Sequence, residues 1–287
     1  MVDAESKDRL SSNERFVTDL YRGVLKREPD PDGLRDHSER LGSEPSFDDA
    51  AALLSDFVNS GENSKLTVFR NLHSRVGAFK HIASIGSHCL TSYTLKQSGL
   101  KDFSGPFDWI FSNVRMVIHC LSDDFSTFLN RRWHESVPAE LRVAEGANLS
   151  EHLYYRDKFG VKFVFNHFDI TEENHYQYYV RCVERFRAAI NGRDPCLLLC
   201  ITQEVSVEDF EALCALFTQK DCVSVLCVRA TPDCPHVFGM TLSAQRGRHK
   251  LYDLRMKGDL GPLAFTDPAD SLLFASLLTC AASAIGP

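Results

Sequence analysis

The residues best suited to chemistry are Cys89, His167 and two carboxylates, Asp108 and Asp169. A thiol becomes a working nucleophile when a base within hydrogen-bond reach takes its proton, and a third group commonly orients that base. Cys89 closes the stretch His81-Ile-Ala-Ser-Ile-Gly-Ser-His-Cys89. The apolar run Ile82 to Ile85 reads as a buried strand, Gly86 and Ser87 break it, and Leu90, Tyr93 and Leu95 follow at helical spacing up to Gly99. The thiol is therefore expected at a helix N-terminus. Unpaired N–H groups and the positive end of the helix dipole favour a thiolate there and can hold an oxyanion. Gly86, Ser87, His88 and Trp109 are the candidate substrate-binding residues.

His167 lies near the end of Val161–Asp169, whose alternation predicts a strand, and strand ends commonly carry active-site residues in α/β folds. Asp108 follows the Gly105-Pro106 turn, and Asp169 shares the face of His167 if the strand persists. Either is a candidate to orient the imidazole. Each residue also has a plainer reading. A cysteine behind a strand packs as a small hydrophobe, His167 serves as a hydrogen-bonded core histidine, Asp108 caps a helix and Trp109 fills the core.

The elements that must position these residues follow from the patterning. Residues 1–12 read as a disordered leader. Residues 13–66 read as a small helical domain, with Phe16, Val17, Leu20, Tyr21, Val24 and Leu25 on one face and a turn at Glu28–Gly33. Leu34–Leu41 and Asp48–Asn59 are the next expected helices, and Lys65–Phe79 a helical connection. Residues 78–287 read as an α/β domain. Helices are expected from Asn113 and over Tyr176–Ile190, with loop and short elements over residues 130–155 between them. The strand Cys196–Thr202, a helix Val207–Phe217 behind a Ser206 cap, and the strand Cys222–Val228 form a βαβ unit, which implies parallel pairing. Val237–Leu242 and Lys250–Met256 are candidate edge strands, and Ala269–Ala284 a terminal helix. The expected fold is thus α/β, a parallel or mixed sheet with flanking helices, preceded by a small all-helical domain.

Composition narrows the function. The 287 residues carry a net charge of −7, with no basic block, which argues against nucleic acid or an anionic membrane as partner. No apolar run reaches membrane-spanning length. Met1–Leu10 lacks the apolar core of a signal peptide. None of the ten cysteines forms a CxxC pair, so free thiols and a cytoplasmic location are expected. No GxGxxG or P-loop pattern occurs, and no cofactor is expected. Asp30 and Asp32 lack the later oxygen ligands of a calcium loop, and His88, Cys89 and His167 fall short of four zinc ligands, so no metal is expected.

Two resemblances add to this reading. Phe16-Val-Thr-Asp-Leu-Tyr-Arg-Gly-Val-Leu-Lys-Arg-Glu-Pro-Asp-Pro-Asp-Gly-Leu34, with Phe57-Val-Asn-Ser-Gly-Glu62, resembles the small helical domain related to phycobilisome linkers, found fused to bacterial surface-polysaccharide enzymes and adhesins. It implies a docking or self-association role. Ser84-Ile-Gly-Ser-His-Cys89, Pro106-Phe-Asp-Trp109, Asp124-Phe-Ser-Thr-Phe128 and Phe165-Asn-His-Phe-Asp169 resemble a bacterial family described as papain-like cysteine peptidases. That resemblance implies a Cys89 nucleophile, a His167 base and Asp108 or Asp169 as orienter. The chain departs from it at Gln203-Glu204, where relatives carry an arginine-containing turn. The strand, Gly-Ser turn, nucleophile and helix order is also similar to the opening of SGNH-type esterases, with cysteine in place of serine. The α/β alternation, rather than the papain label, sets the expected fold.

The expected function is cysteine-dependent acyl transfer: hydrolysis of a peptide, amide or ester, or transfer to another acceptor, on a peptide or small-molecule substrate. The alternative is a non-catalytic or sugar- or nucleotide-sugar-binding factor in bacterial surface polysaccharide biosynthesis.

Overall fold

The structure, a computed structural model, describes residues 10–63, 79–234 and 239–267 and the positions 270, 271, 274, 278, 281 and 285. The expected leader over residues 1–9 and the expected connection over 64–78 lie outside the described residues. The chain divides into two compact units, residues 1–70 and 71–287.

The first unit is helical. α1 (Ser12–Leu20) opens on a capping box in which Ser11 and Glu14 satisfy each other's backbone N–H groups. It runs on into a π-helical turn, Tyr21–Leu25, that ends at Lys26 in the left-handed region. α2 (Pro31–Arg40) begins inside the expected turn, because Asp30 accepts the Gly33 N–H at 2.8 Å as N-cap and Pro31 suits the first helical position. Asp30 is thus a helix cap. Gly33 has no room for a side chain: a Cβ there would lie 2.2 Å from the Tyr21 hydroxyl. α3 (Phe47–Val58) has its own capping box, Ser46 with Asp49. Val17, Leu20, Tyr21, Leu25, Leu41, Leu53 and Phe57 close the core.

The second unit is built on a five-stranded sheet of order β1-β4-β5-β7-β6. β1 (His81–Ser84), β4 (Cys196–Thr202), β5 (Val223–Thr231) and β7 (His249–Arg255) run parallel, and β6 (Gly239–Arg246) pairs antiparallel with β7. Among the described strands, β1 has one neighbour, β4. All seven residues of β4 are buried. Cys196, Leu198 and Cys200 join Val223, Val225 and Cys227 on one face of the sheet, while Leu197, Leu199 and Ile201 alternate to the other. A strand buried on both faces reads as a continuous apolar run, which is why this βαβ unit was legible from composition. α8 (Val207–Ala215) makes the crossover, with Ser206 as its N-cap.

Between β1 and β4 the chain forms α4 (Leu90–Gln97), α5 (Val114–Ser122), the hairpin β2 (His134–Ser136) with β3 (Ser150–His152), α6 (Leu153–Phe159) and α7 (Glu173–Asn191). The helix α6, capped by His152, begins in the last residues of the stretch expected to hold loop and short elements and runs past it to Phe159.

The expected strand Val161–Asp169 does not form. Phe163 has a positive φ of 52°, which breaks an extended ladder. Its N–H donates to the Glu151 carboxylate at 2.7 Å, Phe165 makes an isolated bridge with Ser150, and the Val164 carbonyl accepts from Phe111 at 3.0 Å. Val161, Val164 and Phe165 are buried, so burial does not follow the alternation, and the backbone groups of this loop go to three different partners. The described positions of the terminal segment, 270, 271, 274, 278, 281 and 285, are helical. No helix among the described residues is long and apolar enough to cross a membrane.

Leu198 is fully buried at the centre of the sheet. Leu198→Ala is expected to cost about 2–5 kcal/mol through lost burial and the cavity left behind. Urea unfolding of the full chain measures it, and a change below about 1 kcal/mol would contradict this packing.

Candidate active site

The site forms where β1 ends. Ile85 still donates to the Leu199 carbonyl of β4 at 2.8 Å, and the chain then turns through Gly86. A Cβ at Gly86 would sit 2.0 Å from the Thr91 hydroxyl oxygen and 3.3 Å from the Ile201 carbonyl. Thr91, on the first turn of α4, itself accepts the Ile201 N–H at 3.2 Å. Ser112 fixes the other side of the turn: its hydroxyl donates to the Gly86 carbonyl at 2.7 Å and its N–H to the Ser87 carbonyl at 2.9 Å. Cys89 follows as the N-cap residue of α4, already in helical conformation.

The loop after α6 brings His167 to this turn. Cys89 Sγ and His167 Nε2 lie 3.3 Å apart. Cys89 is 3% exposed, whereas the imidazole is open to solvent. Trp109 stands perpendicular to the His167 ring, with centroids 6.0 Å apart. Asn166 adds a contact that the sequence did not signal. Its Oδ1 accepts the Asn148 N–H at 3.0 Å, and its Nδ2 lies 3.4 Å from His167 Nε2.

Neither expected orienting acid reaches the imidazole. Asp108 is buried in an ion pair with Lys101 and accepts the Gly105 N–H at 2.7 Å. Lys101 also donates to Ser92 on α4 and lies 5.4 Å from the centre of the Trp109 ring. Asp108 thus ties the Trp109 turn to the helix behind Cys89. Asp169 turns to the hairpin, accepting from the Ser136 hydroxyl at 2.5 Å and from Thr171. With no strand through Val161–Asp169, the shared face that would have aimed it at His167 is lost. Among the described residues, no carboxylate pairs with His167. Lys101 and Ser92 were not anticipated, since nothing in their spacing marks them.

Burial governs the electrostatics. It pushes the Cys89 thiol up to about 11, with the nearby Asp108 charge adding to the rise. Burial also holds His167 and His88 below the ordinary imidazole value. Asp108 is lifted by burial, with Lys101 pulling against it. Burial works upward on Asp169 too, but hydrogen bonds from Ser136 and Thr171 outweigh it and hold the carboxyl low. Burial thus disfavours charge on both partners, in the direction opposite to the effect of a helix N-terminus on a thiol. His88 is tied into the turn by the Ser87 hydroxyl, 3.0 Å from its Nδ1, and its ring meets the Gly261 backbone. Gln203, at the end of β4, donates to Asp259 at 3.1 Å.

Residues 80–221 match the model of the family described as "Putative papain-like cysteine peptidase". The match covers every residue of the turn, the Trp109 segment and the His167 loop, and ends between α8 and β5. Residues 1–67 match a second family, described as "Domain of unknown function", a match that carries no linker role with it. No curated protein and no solved structure matches the chain. The family's description names papain, but the sheet around Cys89 is parallel and α/β.

Gly86→Ala is expected to force Thr91 or the turn to move, lowering stability by about 1–3 kcal/mol. Adding Thr91→Ala in the same chain removes the hydroxyl but keeps the Thr91 Cβ, 2.8 Å from the new methyl, and leaves the Ile201 N–H without its acceptor, so the double variant is expected to be no more stable than the single one. Thermal unfolding of the single and double variants measures this, and a single variant as stable as the parent would contradict the close contact.

Proposed function

We propose that the second unit is a cysteine-dependent acyl-transfer enzyme, acting on a peptide, amide or ester of a peptide or small molecule. The observation that carries this reading is the 3.3 Å approach of Cys89 Sγ to His167 Nε2, at the end of a strand and the start of a helix. Cys89 Sγ attacks the substrate carbonyl carbon while His167 Nε2 takes the thiol proton. The carbonyl oxygen gains the displaced electron pair. The N–H groups of Ser87, His88 and Leu90, which have no acceptor among the described residues, are placed to receive that charge. When the tetrahedral intermediate collapses, the leaving group departs with the proton from His167. The acyl group is then released to water or to a second acceptor. Gly86, Ser87, His88 and Trp109 wall the reacting carbon. Asp108 and Asp169 act at one remove, Asp108 by bracing the Trp109 turn on α4 and Asp169 by anchoring the His167 loop to the hairpin. The first unit serves as a docking or self-association module, and the reaction takes place in the cytoplasm without a cofactor.

One observation favours a second reading. A thiol that is 3% exposed and held protonated is also what a non-catalytic sugar- or nucleotide-sugar-binding factor would tolerate at this position. Release of p-nitrophenol from p-nitrophenyl acetate by the full chain separates the two. Cys89→Ala is expected to abolish it, and His167→Ala to lower it by about a hundredfold or more. Equal release by parent and Cys89→Ala would sink the acyl-transfer reading on this probe.

The pair has a pH signature. Because the thiol of folded Cys89 ionises only near 11, against an ordinary value of 9.0, its alkylation by iodoacetamide should keep rising between those two values. The half-buried Cys222 and Cys234 should label ahead of it at neutral pH. Peptide mass mapping follows each thiol. A Cys89 rate that is flat from pH 7 upward would instead indicate a preformed thiolate–imidazolium pair.

A further inference from the structure

At the amino end of β7, on the opposite side of the parallel sheet from Cys89, there is a cavity of about 480 Å³ with an unusual wall. Lys220, Arg246 and Arg248 line it, with Asp221 as the one carboxylate among the described lining residues. That is a concentration of positive charge in a chain whose net charge is −7. Arg246 and Arg248 are set by the β6–β7 hairpin. Arg246 pairs with His249 across a two-residue turn in which Gly247 has a φ of 58°, as the first position of such a turn requires. Arg248 approaches Asp221 only to 3.7 Å, and the Asp221 side chain is fully exposed.

His249 supplies the deciding observation. It is 6% exposed and lines the same cavity. The Val225 N–H donates to its Nδ1 at 3.0 Å. A nitrogen that accepts a backbone N–H carries no proton, so the neutral ring must bear its proton on Nε2. Nε2–H has no partner among the described residues. The ring stays neutral because burial, Arg248 and Arg246 hold it down to about 4. The cavity is therefore lined by the residue that carries this donor and by three cations, with Phe217 and Ile285 as its apolar wall; Arg246 also donates to the Glu211 carbonyl at 3.3 Å and Lys220 to Asn191 at 2.5 Å, which leaves each with further N–H groups to offer. A wall rich in donors and cations is matched by an oxyanion with several oxygens, and the apolar wall by a hydrophobic group attached to it.

We propose that this cavity binds a phosphate ester, its phosphoryl oxygens on Arg246, Arg248, Lys220 and His249 Nε2–H and its apolar part against Phe217 and Ile285. Half of the described lining, the hairpin residues Arg246 to His249 and Ile285, falls after the family-matched span, so the site is shared between the part of the chain that the family model covers and the part that it does not. It is independent of the acyl-transfer reading.

Calorimetric titration of the full chain with phenyl phosphate tests it, with inorganic phosphate as the second probe. Saturable one-site binding is expected, tighter for phenyl phosphate than for inorganic phosphate. The double change Arg246→Gln with Arg248→Gln should weaken it by about tenfold or more, as loss of charge-assisted hydrogen bonds does. Asp221→Asn, at a fully exposed side chain that cannot compromise folding, should tighten it severalfold. No saturable binding of either probe overturns the proposal. So does phenyl phosphate binding that Asp221→Asn fails to tighten, which keeps the test decisive even if the double variant does not fold.

Discussion

The turn between β1 and α4 has no slack, and the site inherits its geometry from that fact. The space a Gly86 side chain would need is taken by the Thr91 hydroxyl, and Thr91 is held by the Ile201 N–H of β4. Ser112 grips two successive carbonyls of the turn from the far side. The position of the Cys89 sulfur is thus fixed by β4 on one flank and by the segment behind Trp109 on the other. The link from Phe111 to Val164 carries the same constraint into the His167 loop. Three stretches far apart in sequence meet because each satisfies backbone groups that another leaves open.

The charges of the region serve this scaffold. A buried Asp108 needs a partner, and Lys101 provides it in a nearly dry environment. That pair, with Ser92, binds the Trp109 turn to α4. Its proximity also disfavours a second negative charge on Cys89. Asp169 is spent on Ser136 and Thr171. The imidazole is left to packing against Trp109 and to the amide of Asn166, itself fixed by Asn148. In this arrangement the imidazole is positioned by neutral groups.

Local chemistry was legible in the sequence where a single segment determines it. The run Cys196–Thr202, the Ser206 cap and the break at Gly86 each encode their own conformation, and the sheet followed from them. The neighbourhood of Cys89 and His167 could be named, but their partners could not. Asp108 and Asp169 were read from rigid turns and an assumed strand, yet the choice of partner was made by Lys101 and Ser136, residues without any pattern around them. Val161–Asp169 alternates like a strand, but Phe163 turns back to meet Glu151, and periodicity carries no information about that. Polar contacts between distant segments are decided by the fold and leave no periodic trace.

β1 is four residues long and has a single neighbour among the described strands. A strand paired on one side gives up fewer hydrogen bonds on opening than β4 or β5, which are paired on both. The strand that leads to Cys89 is therefore expected to be among the least protected parts of the sheet, and the strands beside it among the most. Amide exchange would register this as a gradient, fast at Ile82 and Ser84 and slow across Leu198 and Val225.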